Sequence, residues 1–146
     1  MKFFLDKDII MRYGRKLLLD HRMPKKQFEL MKEIQEGKHK VWISNNTPFA
    51  VLNYLKYRAQ DKHGLDKPEE EADKIAKEYY GKIFKQGNWE TINLTMKEYQ
   101  KASQDQEHHW EDAVQYQCAL KTNKKFCTDN IKDFKDDEEI ELMTLR

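Results

Sequence analysis

The 146-residue sequence predicts a three-layer α/β/α domain around a short, mainly parallel five-stranded sheet. Three observations carry that prediction. Brief apolar runs alternate with longer stretches whose apolar residues recur every three to four positions. The stretch between successive runs is long enough for a helix, which selects parallel pairing with helices on both faces. Proline, glycine and capping signals fall at the joints between the two kinds of segment.

Phe3, Phe4 and Leu5 form the first buried strand, closed by Asp6. A mixed apolar and basic stretch follows from Ile9 to about Leu19. Pro24 then opens a helix with Phe28, Met31 and Ile34 at helical spacing, and Gly37 stops it. Val41 to Ser44 reads as the second strand. Thr47-Pro48 supplies an N-cap and first helical residue for a helix from Phe49 to about Arg58. Asp66 and Glu69 resemble a capping box for the next helix, whose apolar set runs from Ala72 through Ile83 and Phe84 as one buried face. Trp89 to Leu94 suggests a third strand, and Thr95 with Glu98 a second capping box. A helix from about His109 to Leu120 leads to a fourth strand, Phe126 to Thr128, followed by Asp129. Asp136 to Glu139 reads as a loop before a fifth strand over Ile140 to Met143. No internal repeat or long linker interrupts 1–146, which reads as one domain.

The charges nearly cancel: 27 Lys+Arg against 26 Asp+Glu give a net charge of +1, at a mean hydropathy of -1.02. Three Trp, seven Tyr and seven Phe supply the bulky apolar surface that disordered chains lack. The balance argues against nucleic-acid binding through bulk positive charge, although the first 40 residues hold eleven basic and six acidic residues and the last 20 hold three and seven. Cys118 and Cys127 lack CxxC spacing, which argues against a disulfide framework or a zinc site. No stretch approaches a membrane span, and Asp6, Lys7 and Asp8 interrupt the N-terminus before a signal-peptide core develops. These features point to a cytoplasmic protein with no membrane partner.

Ligands of open α/β sheets sit beyond the carboxyl ends of the strands, where Asp6 and Asp129 fall. Asp112 joins them in the first turn of the His109 helix, where negative charge is favoured. Three carboxylates about 5 Å apart repel by roughly 3 kcal/mol per pair at an effective dielectric of 20, so a positive charge must hold them. Hard oxygen ligands suit Mg²⁺ or Mn²⁺. The competing account is that these acids cap helices or pair with Lys and Arg. His108-His109 cannot share one helix face and is a poor zinc pair. Arg12, Arg15, Lys16, Arg22, Lys25 and Lys26 line an RNA approach, with Tyr13 for stacking, or form a solvated helix surface.

The segment Phe4-Leu5-Asp6-Lys7-Asp8-Ile9-Ile10 resembles the opening strand and Asp-Thr-Asn signature of PIN-domain proteins. Glu111-Asp112-Ala113-Val114-Gln115 is similar to that family's Glu-Asp-Ala-Leu-Gln helix start. Cys127 to Phe134 resembles its Thr-Arg-Asn-x-x-Asp-Phe strand exit, and Ile43-Ser44 with the Phe49 helix fits its second strand and third helix. The likeness spans nearly the whole chain in order and spacing.

The resemblance implies a metal-dependent endoribonuclease, as in the VapC-type toxins of toxin-antitoxin pairs, with RNA, an antitoxin protein and a second copy as partners. On that pattern Asp6 and Asp112 are catalytic, metal-binding acids and Asn130, at a place the family fills with Asp or Asn, is a weak or water-mediated metal ligand; Asp129, at a place the family often fills with Arg, substitutes for the fourth acid as a further catalytic and metal-binding residue. Asp8, Glu111, Thr128 and Asp133 support them. Lys7, Arg12 and Arg15 are candidate RNA contacts. The chain departs from the pattern twice: Lys7 replaces a small hydroxyl residue, and Ala50 stands where a helix-three Glu completes the acidic set. The leading expectation is therefore hydrolysis of RNA phosphodiesters, and the alternative a degenerate module that binds RNA or protein without cleaving. A Lys7 amine within about 3 Å of Asp6 or Asp112 favours the alternative, and an outward Lys7 over an open acidic pocket favours the nuclease. A phosphatase using Asp6-Lys7-Asp8 is the third reading.

Overall fold

The computed structural model describes residues 1–122, 125–134, 139–143 and 145, apart from the side chain of Asp133. Twelve elements follow in chain order: β1 (Lys2–Leu5), α1 (Lys7–Leu19), α2 (Lys25–Gln35), β2 (Lys40–Ser44), α3 (Thr47–Gln60), α4 (Glu69–Phe84), β3 (Asn88–Ile92), α5 (Met96–Gln104), α6 (Trp110–Lys121), β4 (Lys125–Cys127), α7 (Ile131–Phe134) and β5 (Glu141–Met143). The strands form one sheet in the order β3-β2-β1-β4-β5, and every pairing is parallel.

β1 lies at the centre and is buried on both faces, which is why its apolar residues run without alternation. Successive side chains still point to opposite sides. Phe3 and Leu5 join a core with Ile9, Ile10, Met31, Leu55 and Ile83 from α1 to α4. Phe4 joins a second core with Cys118, Phe126 and Phe134 on the other face. Phe126 binds that face together through ring contacts to Phe4 at 5.6 Å and to Phe134 at 5.1 Å between centroids.

Gly14 lets α1 approach α3 closely, because a Cβ there would lie 3.0 Å from Leu55 Cδ2 and 3.4 Å from Ile83 Cδ1. Glu98 closes the capping box of α5: its carboxylate accepts from Thr95 N at 2.8 Å. It also meets Lys121 of α6, which pins α5 to α6. With the Lys121 bond as the largest cause and the Thr95 hydroxyl next, its carboxyl is held down to about 2.

Three local expectations are corrected. Asp66 does not cap α4; it sits at φ 50° in the preceding turn, and Pro68 takes the N-cap position. The helix after Thr47-Pro48 starts at Thr47, with Asn46 as its N-cap residue, because Ser44 Oγ engages both Asn46 Oδ1 at 2.5 Å and Thr47 Oγ1 at 2.6 Å and tightens the strand exit. Tyr13 is unsuited to stacking on a ligand: it is 1% exposed, and its hydroxyl donates to Gln35 Oε1 at 2.9 Å. The expected loop over 136–139 lies outside the described residues except for Glu139. Among the described residues no helix is long and apolar enough to cross a membrane.

Candidate functional site

In the order β3-β2-β1-β4-β5 the chain path reverses between β1 and β4, and such a switch point opens a crevice at the carboxyl ends of the two strands. Leu5 is in register with Cys127, and Asp6 N donates to Cys127 O at 2.9 Å. The residues after the two strands are therefore neighbours although 122 positions separate Asp6 from Thr128.

Asp6 is the buried centre of this edge, 3% exposed. One carboxylate oxygen, Oδ1, accepts from Asp8 N at 3.0 Å and caps α1. The other, Oδ2, accepts from the Thr128 hydroxyl at 2.8 Å. Burial is the largest influence on its titration, and Asp8 and Asp129 add repulsion. The two hydrogen bonds oppose these influences without overcoming them, and the carboxyl is pushed up to about 6. The Asp8 carboxyl is raised too, first by the protein packed around it and then by Glu111 and Asp129, against the pull of Lys7 and Arg12.

Asp112, in the first turn of α6, accepts from Asn130 Nδ2 at 2.7 Å. Asn130 N in turn donates to Thr128 Oγ1 at 3.0 Å, so one short segment after β4 contacts both acids. Asp129 turns outward and meets Arg12 Nη1 at 2.7 Å, and the same nitrogen donates to Gln27 Oε1 at 2.7 Å. Lys7 Nζ lies 2.9 Å from Glu111 Oε2. The expected acids thus meet at one edge, with side-chain partners of their own. Asp133, the remaining supporting residue of the sequence reading, has no described side chain.

The donors here are carboxylate, carboxamide and hydroxyl oxygens, whose chemistry suits a hard divalent cation. Their spacing does not enclose one in this arrangement. Among the described residues no three His, Cys, Asp or Glu side chains form a group that could hold a metal ion. Among the described residues, Lys7 on Glu111 and Arg12 on Asp129 bring positive charge to this edge. A metal at this edge has to compete with those long, partly exposed side chains. Lys7 meets neither condition set for it by the sequence, since its partner is the residue before Asp112.

Lys7 and Glu111 also line a cavity of about 280 Å³ with Ala50, Asn53, Tyr99, Trp110 and Gln115. Its aromatic rim was not evident in the sequence. Trp110 and Phe49 are 67% and 69% exposed, a fact that helical spacing alone does not distinguish from core. A second hollow of about 180 Å³ lies beyond Asp8, lined by Arg12, Arg15 and Tyr54. The two flank the first turn of α1.

No protein-family model and no curated protein matches the chain. A solved structure does. The fold is similar to that of a chain in VapBC2 from Rickettsia felis, a complex solved bound to a DNA fragment from its promoter, with a TM-score of 0.58 and 18% identity over 98% of each chain. That likeness establishes the fold, a mixed α/β architecture on a five-stranded parallel sheet compatible with the PIN-like expectation.

Proposed function

We propose that this protein is a PIN-like endoribonuclease, the toxin component of a toxin-antitoxin pair, which hydrolyses RNA phosphodiesters with Mg²⁺ or Mn²⁺. The observation that carries the proposal is the meeting of Asp6, Asp112 and the Thr128-Asp129-Asn130 segment at the switch point of the sheet, joined by the Thr128–Asp6 and Asn130–Asp112 hydrogen bonds. The likeness to a VapBC2 chain and the resemblance of the sequence motifs to VapC-type toxins support the same reading. They also motivate an antitoxin and a second copy as partners.

In this reading Asp6, Asp112 and Asp129, with Asn130, would close around the cation once Arg12 leaves Asp129. A hard divalent cation held there would supply Lewis acidity toward a phosphate oxygen and an acidified water. Thr128 fixes one oxygen of Asp6, and Asn130 fixes one oxygen of Asp112, so both carboxylates are oriented before a ligand arrives. Arg15, and Arg12 when it leaves Asp129, offer positive charge to RNA phosphates on one side of Asp8, and Lys7 does so on the other.

A second reading is favoured by one specific observation, the Lys7–Glu111 ion pair beside Ala50. There an ammonium stands near the acids and a methyl replaces a carboxylate, the substitutions expected of a module that binds RNA or protein without cleaving. Calorimetric titration with Mn²⁺ and cleavage of labelled RNA decide between them. The nuclease reading expects metal binding and cleavage that Asp6→Asn abolishes. Parent activity no higher than that of Asp6→Asn overturns it in favour of the binding module.

A further inference from the structure

We propose that the hollow between α1 and α3 is a subsite for one phosphate, with Arg15 as its principal contact. Tyr54 adds a second donor, and Arg12 joins when released from Asp129. That the phosphate belongs to RNA rests on the function proposed above; that the hollow takes a phosphate rests on its own side chains.

The hollow, of about 180 Å³, is lined by Asp8, Met11, Arg12 and Arg15 of α1 and by Tyr54 of α3. The four α1 residues stand at i, i+3, i+4 and i+7, one stripe of a helix. Arg15 differs from the other arginines that are partly enclosed. Arg12 meets Asp129 and Gln27, and Arg58 meets Asp61. Arg15, although half-buried, makes no hydrogen bond or ion pair among the described residues. Its Nε is enclosed by the protein, whereas its Nη atoms remain accessible. A guanidinium stays charged at any ordinary pH, and a half-buried charge without a partner is costly. An anion from outside the chain relieves that cost at the Nη atoms.

Asp8 shares the hollow without pairing with Arg15. The two are separated by about 10 Å along the helix axis at 1.5 Å per residue, close to the Debye length at physiological salt. Repulsion from Asp8 is therefore weakest at the Arg15 end, which makes Arg15 rather than Arg12 the principal contact. The guanidinium fork engages two oxygens of a phosphate at once. The Tyr54 hydroxyl, half-buried and also without a partner among the described residues, donates from the facing helix. A lone carboxylate, little larger than two waters of about 30 Å³ each, leaves most of the hollow empty. A phosphate with its ribose fills it, the sugar lying against Met11 and the Tyr54 ring. The stripe begins beside Asp6, which Asp8 N caps, so a strand crossing the acidic edge carries its next phosphates along α1.

Fluorescence anisotropy of labelled rU10 against the full chain in EDTA, between about 50 and 200 mM KCl, tests this without metal or cleavage. Arg15→Gln is expected to weaken binding about tenfold at the lower salt. It also reduces the slope of log K against log salt by about 0.7, the share of one phosphate contact on a single strand. Arg15→Lys keeps the slope and loses affinity, because the charge stays and the fork is gone. Tyr54→Phe weakens binding about fivefold. Lys74→Gln, which removes an exposed charge of α4 outside the hollow, changes affinity less than about twofold. Inorganic phosphate displaces rU10 from the parent. Arg15→Gln with the affinity and slope of Lys74→Gln overturns the proposal, as does failure of both rU10 and phosphate to bind. Oligoglutamate bound through Arg15 more tightly than rU10 overturns it in favour of an acidic peptide. Phosphate held through Arg15 without rU10 binding upholds the subsite and refutes RNA as its source. Parent cleavage no higher than that of Asp6→Asn, with Arg15-dependent binding intact, refutes the nuclease reading alone; cleavage with rU10 binding indifferent to Arg15 refutes the subsite alone.

Discussion

Lys7 Nζ and Glu111 Oε2 stand 2.9 Å apart, joining the first turn of α1 to the first turn of α6 at the edge where Asp6 and Asp112 are presented. The pair is partly exposed, its side chains at 21% and 41%, so its contribution to stability is small, about 1 kcal/mol or less. Its effect on ligands is larger, because a fixed ammonium repels any cation that approaches these acids.

Lys7→Thr removes that repulsion and frees Glu111. At a partly exposed site one unit charge is worth roughly 1–2 kcal/mol against a nearby cation, so Mn²⁺ affinity measured by calorimetry rises about tenfold. Unchanged or weaker Mn²⁺ binding in the variant contradicts competition between the lysine and a metal.

Ala50→Glu, placed in the Lys7→Thr background, adds a carboxylate to the wall that carries Glu111. More anionic oxygen ligands strengthen hard-cation binding, so the double variant is expected to bind Mn²⁺ more tightly than Lys7→Thr and to cleave RNA faster than the parent. If neither changes, the acidic edge is not where metal chemistry occurs in this protein.

Asp6→Asn has a pH-dependent effect on stability. The folded carboxyl titrates near 6 against an ordinary value of 3.8, so between those values the folded chain binds more protons than the unfolded one. The contribution of this group to stability therefore rises as pH falls through 6 and levels off below 3.8. Above pH 6 ionised Asp6 costs on the order of 3 kcal/mol, from roughly 1.4 kcal/mol per pKa unit. Asparagine removes the charge and remains a good N-cap. Its melting temperature is expected to exceed that of the parent at pH 7.5, with the gap closing toward pH 4. A gap of equal size at both pH values refutes this account of Asp6.

Gly14→Val breaks the approach of α1 to α3. A Cβ at Gly14 already lies 3.0 Å from Leu55 Cδ2, and two further methyl groups overpack that contact by about 1–3 kcal/mol. Gly14→Ala adds only the Cβ and gains up to about 1 kcal/mol of helix propensity, so it stays within about 1 kcal/mol of the parent. Urea denaturation measures both; Val at parent stability refutes the close-contact reading.

Apolar runs and helical spacing in the sequence determined the five strands, helices α2, α3, α4 and α6 and the parallel wiring, and a capping box marked the start of α5. The apolar run Phe3-Phe4-Leu5 signals a strand buried on both faces, and the acids after β1 and β4 mark where those strands end. Those signals are local: a period of two or three to four, a cap, or an acid after an apolar run registers within a few residues. Tertiary structure decided what each charged side chain meets. Arg12 reaches Asp129, Lys7 reaches Glu111 and Asn130 serves Asp112, contacts between residues far apart in sequence and dependent on strand order and register. It also decided the fate of the aromatics, burying Tyr13 and exposing Trp110, since helical spacing identifies a face of a helix without saying whether another element covers it. An acidic edge was legible from the chain alone; the cations within it and the aromatic cavity beside it appear only when β1 and β4 lie side by side.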